Sequence, residues 1–225
     1  MMKKLLNSAV IAAVVAGASF SVAQAEDTLY VPSLSYRTGP FAAGGVPIGN
    51  GFADYMAMLN ARDGGIGGVK VEVEECETAY NAQKGVECYE ATKGKGALVY
   101  NPYSTGITLQ LIPKAPVDEI PVLSMGYGLS AVAQGETFPW TFNYPTSYWS
   151  QMSSILKYID GRGGLAGKKI GFIYLDGGYG REPIPLLEQL APELGFEVAM
   201  FPVAFKDSQN QSAQWLNVRK ERPDW

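Results

Sequence analysis

The chain has 225 residues, 47% of them hydrophobic and 18% charged, with a formal net charge of −4 and an isoelectric point near 5.0. That is an ordinary globular composition, and an acidic balance with no basic run or basic–aromatic stripe excludes a nucleic-acid surface as the expected partner. Histidine is absent, which excludes Ser-His and Cys-His nucleophile pairs and His-ligated metal sites built from this chain, so neither a catalytic residue nor a metal or other cofactor is expected.

Lys3 and Lys4 precede an apolar run from Leu5 to about Phe20, closed by Ala23-Gln24-Ala25. A charged start, an apolar middle and an A-x-A site make a secretory signal peptide over 1–25, with cleavage expected after Ala25. The run is short and rich in Ala and Gly for a membrane anchor, and no later segment is long enough to span a bilayer. Cys76 and Cys88 both survive cleavage. An even pair in an exported chain suggests a disulfide; the alternative is two reduced, buried thiols.

The mature part begins with a strand over 29–35, followed by a glycine-rich loop over 36–46. From Ile48, apolar residues at Phe52, Tyr55, Met56 and Leu59 fall at helical spacing, and Asp63-Gly64-Gly65 supplies a glycine C-cap. Val69, Val71 and Val73 alternate with Lys70, Glu72 and Glu74, a strand with one wet face. A weaker helix over 80–93 carries Cys88. A buried-looking strand over 97–100 stops at Asn101-Pro102, since proline cannot continue a central strand. Ser104 or Thr105 then caps a helix that runs to about Ile112, where Pro113 and Pro116 break it. Residues 120–125 are another strand, stopping at Gly126-Tyr127-Gly128. This β-α alternation is the signature of a parallel doubly wound sheet.

Residues 139–145 hold two prolines and three aromatics and read as an extended crossover. A second run of units follows. Trp149, Met152, Ile155 and Ile159 mark a helix face. Residues 169–175 form a strand halting at Asp176-Gly177-Gly178-Tyr179-Gly180. Ile184, Leu187, Leu190 and Leu194 mark a helix ended by Gly195. A strand over 196–203 precedes a helix over 208–221, with Ser208 as cap and Trp215-Leu216 facing the core. No strand follows that helix, so the pattern predicts a piece of a longer protein. Residues 64–68 and 163–168 imitate phosphate-binding loops, but their glycine spacing and their position before a strand are wrong; both are read as turns.

Three strand ends share a character: 101–105, 126–128 and 177–180 each place glycine, hydroxyl or tyrosine where ligands bind in open α/β sheets. Two come from the first unit and one from the second, so a cleft between two lobes is expected. At this point the chain resembles the type I periplasmic solute-binding proteins of the branched-chain amino acid ABC importers. The matching features are the leader, Thr38-Gly39-Pro40, Asn60-Ala61-Arg62-Asp63-Gly64-Gly65-Ile66, Cys76, Ser104-Thr105 and Tyr179-Gly180, in order from about Thr28 onward.

The resemblance implies a type I periplasmic-binding-protein fold: two doubly wound α/β lobes, here 26–143 and an incomplete 144–225, joined by a hinge and closing on a ligand. It implies a carboxylate held by Ser104, Thr105 and backbone at Gly126 and Tyr127, with Tyr103 beside them and Tyr179 closing from the second lobe. Such proteins can carry an aromatic after the first strand, where this chain has Gly44-Gly45. Arg37, just before Thr38, offers a bidentate partner for an anionic ligand, its alternative being a surface arginine. The aromatic set Tyr36, Tyr103, Tyr127, Tyr148, Trp149 and Tyr179 leaves room for an aromatic acid or an amide beside the default branched-chain amino acid. The expected function is that of a monomeric periplasmic receptor delivering a small molecule to a membrane ABC permease. A sensor built on the same fold and an exported hydrolase are the alternatives, and the second finds no carboxylate pair to support it. N-terminal sequencing of the exported protein is expected to read from Glu26; a start at Met1 would contradict the leader assignment.

Overall fold

The computed structural model describes residues 28–124, 128–144 and 146–225. The expected leader and the strand-end residues Gly126 and Tyr127 lie outside the described residues.

Strand β1 (Leu29–Ser35) pairs in parallel with β2 (Val71–Glu77), Leu29 opposite Val71. Alternation on β2 buries Val71, while Glu74 on the other face accepts bonds from Tyr30 Oη at 2.6 Å and Lys95 Nζ at 2.7 Å. Between these strands runs α1 (Ala42–Asp63). The helix begins at Ala42 rather than near Ile48, so the second part of the expected glycine-rich loop, 42–46, is helical. The reason is close packing: a Cβ on Gly45 would lie 1.8 Å from the Tyr36 carbonyl oxygen, so the glycines let α1 settle on the end of β1. Pro47 removes one backbone donor inside α1 without breaking it. Gly64, at φ 71°, ends the helix as expected.

Helix α2 (Ala82–Thr92) starts where the Asn81 side chain accepts the Lys84 N–H at 3.0 Å, and runs into a 3₁₀ turn at Lys93–Lys95. Cys76 and Cys88 form a disulfide with Cα atoms 5.8 Å apart, tying β2 to α2. The expected strand over 97–100 forms only part of a ladder. Leu98 N–H donates to Tyr30 O at 3.1 Å, Tyr100 N–H to Pro121 O at 2.9 Å, and Leu123 N–H to Tyr100 O at 2.8 Å. Ala97 and Tyr100 are buried but Leu98 is exposed, so this run is not buried throughout. Helix α3 (Thr105–Leu111) and the short α4 (Ala115–Asp118) follow, then β3 (Val122–Leu123) and a 3₁₀ turn at Ser130–Ala133. The proline-flanked crossover itself carries a strand, β4 (Thr141–Phe142), parallel to β3. Across the first sheet the order is β2, β1, the 97–100 segment, β3, β4. Its core holds Leu34, Ile107, Leu111 and Val122, with the Tyr89 and Tyr100 rings 4.6 Å apart.

The second sheet pairs β5 (Lys169–Leu175) with β6 (Glu197–Val203) in parallel. Around it lie α5 (Tyr148–Gly163), α6 (Gly178–Arg181), α7 (Ile184–Leu194) and α8 (Ser212–Glu221). Its separate core is built on Met152, Leu156, Ile159, Ile170, Leu187 and Phe196. The α5 stripe is shifted from the expected one: Tyr148, Met152, Leu156 and Ile159 are buried, while Trp149 and Ile155 are exposed. At α8 the expectation fails. A 3₁₀ turn at Phe205–Asp207 and the Asn210 side chain, which accepts from Ser212 N–H at 3.3 Å and Oγ at 2.7 Å, delay the helix to Ser212. Trp215 and Leu216 remain half exposed. The last residues pair with the edge of β5 away from β6, Asp224 N–H to Lys169 O and Gly171 N–H to Trp225 O, both at 2.8 Å. Both imitation loops are turns, the second beginning after Gly163, the last residue of α5.

The Cys76–Cys88 bridge closes a short loop, so replacing both cysteines by alanine is expected to lower stability by roughly 2–4 kcal/mol. Denaturant titration of variant and parent checks this, and equal midpoints would assign the bridge no stabilising role.

Candidate functional site

Five loops at the carboxyl ends of the strands meet over a hollow of about 380 Å³. Pro40 and Phe41 follow β1, Ala79, Tyr80 and Asn81 follow β2, and Ser104 follows the 97–100 segment. From the second sheet come Gly178 and Tyr179 after β5 and Phe205 after β6. Ligand sites in open α/β sheets lie at such ends, and the size falls in the usual range for small-molecule clefts. A wider depression of about 730 Å³ beside α8 is shallow and gathers no comparable set of loops.

The turn after β2 is shaped by its own side chains. Thr78 Oγ1 donates to Ser35 O at 2.8 Å and accepts from Tyr80 N–H at 3.2 Å. Asn81 N–H reaches Thr78 O at 2.9 Å. The Glu77 carboxylate accepts from the N–H groups of Arg37 and Ala79, each at 2.7 Å. Burial alone pushes that carboxyl up, but these donors outweigh it and hold it below the usual range. Ala79 and Tyr80 both adopt left-handed backbone, φ 50° and 59°, as does Tyr103 at φ 49°. Non-glycine residues rarely do so, and here the turn directs the Tyr80 ring into the hollow.

Aromatic rings line it from both sides. Tyr80 lies 4.7 Å from Phe41 and 6.3 Å from Phe205, and Phe41 and Phe205 meet edge to face at 5.7 Å. Tyr148 meets Tyr179 at 5.3 Å. Burial, and then the neighbouring Tyr36, push the Tyr80 phenol up to about 12, against the pull of a bond from the Ser104 hydroxyl. Burial does the same to Tyr103, up to about 12. Both phenols are therefore neutral near pH 7. The lining residues carry no charged side chain. Among the described residues no cluster of acids and cysteines is arranged to hold a metal.

Of the residues singled out by sequence, Ser104 and Tyr179 line the hollow from opposite walls. Thr105 sits behind Ser104, its Oγ1 2.7 Å from Tyr148 Oη. Tyr103 packs beside α1, its ring 6.4 Å from Phe52. Arg37 turns away from the hollow: its guanidinium pairs with Glu75, one N–H at 2.8 Å, and donates to Asn50 Oδ1 at 2.6 Å. Phe41, Tyr80, Asn81 and Phe205 were not anticipated. Each stands just past a strand's carboxyl end, so the same positional rule applied to β1, β2 and β6 would have found them. Phe41 also places an aromatic after the first strand, while Gly44 and Gly45 belong to α1.

The two halves also touch beside the hollow. The Glu182 carboxylate accepts from Ser130 N–H at 2.8 Å and Ser130 Oγ at 3.2 Å, and Trp149 Nε1–H donates to Glu182 O at 2.9 Å. Gln209 Nε2 donates to Pro40 O at 2.8 Å.

A family model described as periplasmic binding protein matches residues 28–225. Solved structures align over most of the chain. One, described as an ABC transporter permease from the Pseudomonas fluorescens group, is 40% identical with a TM-score of 0.74, covering 89% of this chain and 50% of that one. A branched-chain amino acid ABC transporter from Thermus thermophilus with bound valine is 21% identical with a TM-score of 0.75, covering 87% of this chain and 50% of that one. A fatty acid ABC transporter substrate-binding protein from Thermomonospora curvata is 20% identical with a TM-score of 0.75, covering 88% and 49%. The chain thus spans about half the length of these structures. Comparison with curated protein sequences gave no match.

Glu182 yields a pH prediction. Burial raises its pKa above the ordinary carboxylate value, and the Ser130 donors only partly offset this. The stability owed to the protonated form is present below the ordinary glutamate pKa and is lost as pH rises through the raised value. Glu182→Gln, whose amide keeps both Ser130 contacts, is expected to match or exceed the parent's melting temperature near pH 8, with that advantage shrinking towards pH 4. A variant deficit that widens with rising pH would reverse the assignment.

Proposed function

Because the chain belongs to the periplasmic binding protein family, we propose that it is the substrate-binding component of an ABC importer, taking an amino acid or related small carboxylate between two lobes. Substrate-binding proteins of ABC importers bind small molecules and deliver them to a membrane permease, and they work in the periplasm or outside the cell. No described helix is long and apolar enough to cross a membrane. In this reading the leader over 1–25 is removed at export, and the receptor acts as a monomer. The first lobe is 26–143 and the second 144–225.

The observation that carries the reading is the hollow walled by strand ends of two separate sheets, with Ser104 on one side and Tyr179 on the other. A ligand that touches both walls favours the closed arrangement over an open one by the contacts it makes only there. Ser104 supplies a hydroxyl, Thr105 a second behind it, and backbone at Gly126 and Tyr127 extends the carboxylate cradle. Tyr103 supports that side. Tyr179, half exposed, covers the ligand from the second lobe. The Arg37 guanidinium, held by Glu75 and Asn50, serves this site by fixing the first loop rather than by meeting the ligand. The mechanism needs no nucleophile and no metal.

Thermal-shift screening of the intact protein against amino acids and small organic acids is the test. A true ligand is expected to add roughly 2.7 kcal/mol of stability at a hundredfold excess over its dissociation constant. Removing one hydroxyl bond to a carboxylate costs about 1.5–3 kcal/mol, so Ser104→Ala is expected to weaken binding about ten- to a hundredfold. Tyr179→Ala is expected to weaken it too, chiefly through faster release. Unchanged affinity in both variants would place the ligand elsewhere.

A further inference from the structure

The chain passes from the first half to the second between β4 and α5, and the segment before β4 is bound tightly to this crossing. Gly128 O accepts the Tyr148 N–H at 3.0 Å, and Asn143 Nδ2–H donates to Leu129 O at 2.8 Å. Gly128 sits at φ 73°, and a Cβ there would lie 2.1 Å from Thr146 O, so glycine is what lets this segment lie against the crossing. Ser130 follows. Its N–H and Oγ–H both donate to the Glu182 carboxylate, at 2.8 and 3.2 Å, while its Oγ accepts the Trp149 N–H at 3.0 Å. The Trp149 indole N–H closes the circuit on Glu182 O at 2.9 Å. Glu182 thus holds one residue before the crossing through its carboxylate and one after it through its backbone.

Position separates this cluster from other contacts between the halves. β4, the last strand before the crossing, forms one end of the first sheet, and β1 lies three strands away. At about 4.8 Å per strand that is roughly 14 Å. The loop after β1 carries the remote contacts: Phe41 on Phe205, with ring centroids 5.7 Å apart, and Pro40 O with Gln209 Nε2 at 2.8 Å. A rotation about the crossing displaces each contact in proportion to its distance from it. The remote pair therefore parts on opening, whereas the Ser130 cluster turns almost in place. The bond types agree with this division. Bonds to a carboxylate are roughly twice as strong as neutral ones, and an exposed amide bond such as Gln209 to Pro40 exchanges for water at little net cost.

We propose that the Ser130–Glu182–Trp149 cluster is the bearing on which the two halves open and close, with Glu182 as its positioning residue and the Phe41–Phe205 and Pro40–Gln209 contacts as the parts that separate. This rests on the two-lobe receptor reading above and deepens it by naming what confines the motion. Without the Glu182 carboxylate the direction of opening is freed as well as its extent.

Spin labels at Ala61→Cys in α1 and Glu193→Cys in α7, both exposed positions, report the separation of the halves in the intact protein by pulsed electron resonance. Both native cysteines are held in the Cys76–Cys88 bridge and take no label. A thermal melt confirms that each variant unfolds cooperatively. Glu182→Ala and the milder Ser130→Ala are expected to widen the distance distribution at least twofold. Glu182→Gln, whose amide still meets Ser130 N–H and Oγ, is expected to keep the parent's width. Phe205→Leu is expected to shift the mean outward without widening the distribution. Unchanged width in both Glu182→Ala and Ser130→Ala would overturn the bearing, and so would widening by Phe205→Leu alone. Either of those results leaves the receptor reading to be judged by the ligand screen, which does not depend on these distances.

Discussion

Two consecutive non-glycine residues in left-handed backbone, Ala79 and Tyr80, are the constraint around which the cleft is arranged. Each such residue costs on the order of 1–3 kcal/mol and persists only when neighbours over-determine it. Here they do. Thr78 binds Ser35 O and the Tyr80 N–H, Glu77 binds the Ala79 N–H, and the Cys76–Cys88 bridge closes the ring in which the turn sits. The loop after β1 is locked to the same turn: Gly39 has φ 83°, and a Cβ on it would come within 3.2 Å of Ala79 O. One strained turn thereby fixes Tyr80 in the hollow, starts α2 at Asn81 and seats Phe41 against the Tyr80 ring.

The two halves, by contrast, are joined lightly. Each has its own core, and besides the chain itself they meet at contacts that include Phe41 on Phe205, Gln209 on Pro40, the Thr105–Tyr148 hydroxyl pair and the Ser130–Glu182–Trp149 cluster. Gly178 approaches so closely that a Cβ would lie 3.0 Å from Leu109. Scattered side-chain contacts of this kind leave relative motion of domains as the default expectation. A guest that bridges both walls then adds the contacts that favour the joined arrangement. On the proposed receptor reading the strained turn and the joint are complementary: one wall is fixed, and the other would close onto it.

Much of this was legible in the sequence. Strands at 29–35 and 169–175, the glycine ends of α1 and α7, the parallel β-α order and the Cys76–Cys88 disulfide all follow from local rules of alternation, capping and cysteine pairing. The misreadings have a common physical source, which is tertiary packing. Residues 42–46 read as loop because Gly44 and Gly45 are poor helix formers, yet the space against Tyr36 admits a helix only if Gly45 is there. Trp215 and Leu216 read as core because they are apolar, yet α8 buries none of its residues. The site was half legible for another reason. Hydroxyl and tyrosine at three strand ends stood out by composition, whereas Phe41, Tyr80 and Phe205 enter the hollow only by position, and position depends on which ends the sheet brings together.

Ser104 and Thr105 look equivalent in sequence, and packing separates them. The Thr105 hydroxyl and the buried Tyr148 hydroxyl satisfy each other at 2.7 Å. A carboxylate that recruits Thr105 gains a charge-assisted bond of about 1.5–3 kcal/mol but leaves a buried phenol unpaired at about 1–3 kcal/mol, so the net gain is small. Ser104 is placed differently. Its oxygen accepts the Ile107 N–H at 3.3 Å, and it lines the hollow beside Tyr80. The Ser104 hydroxyl keeps its O–H as a donor, available to a guest without orphaning the Tyr148 phenol. On the receptor reading proposed above, Ser104 rather than Thr105 is the hydroxyl free to meet a ligand's oxygen, and beside it in the hollow stands Tyr80, which only the strained turn reveals.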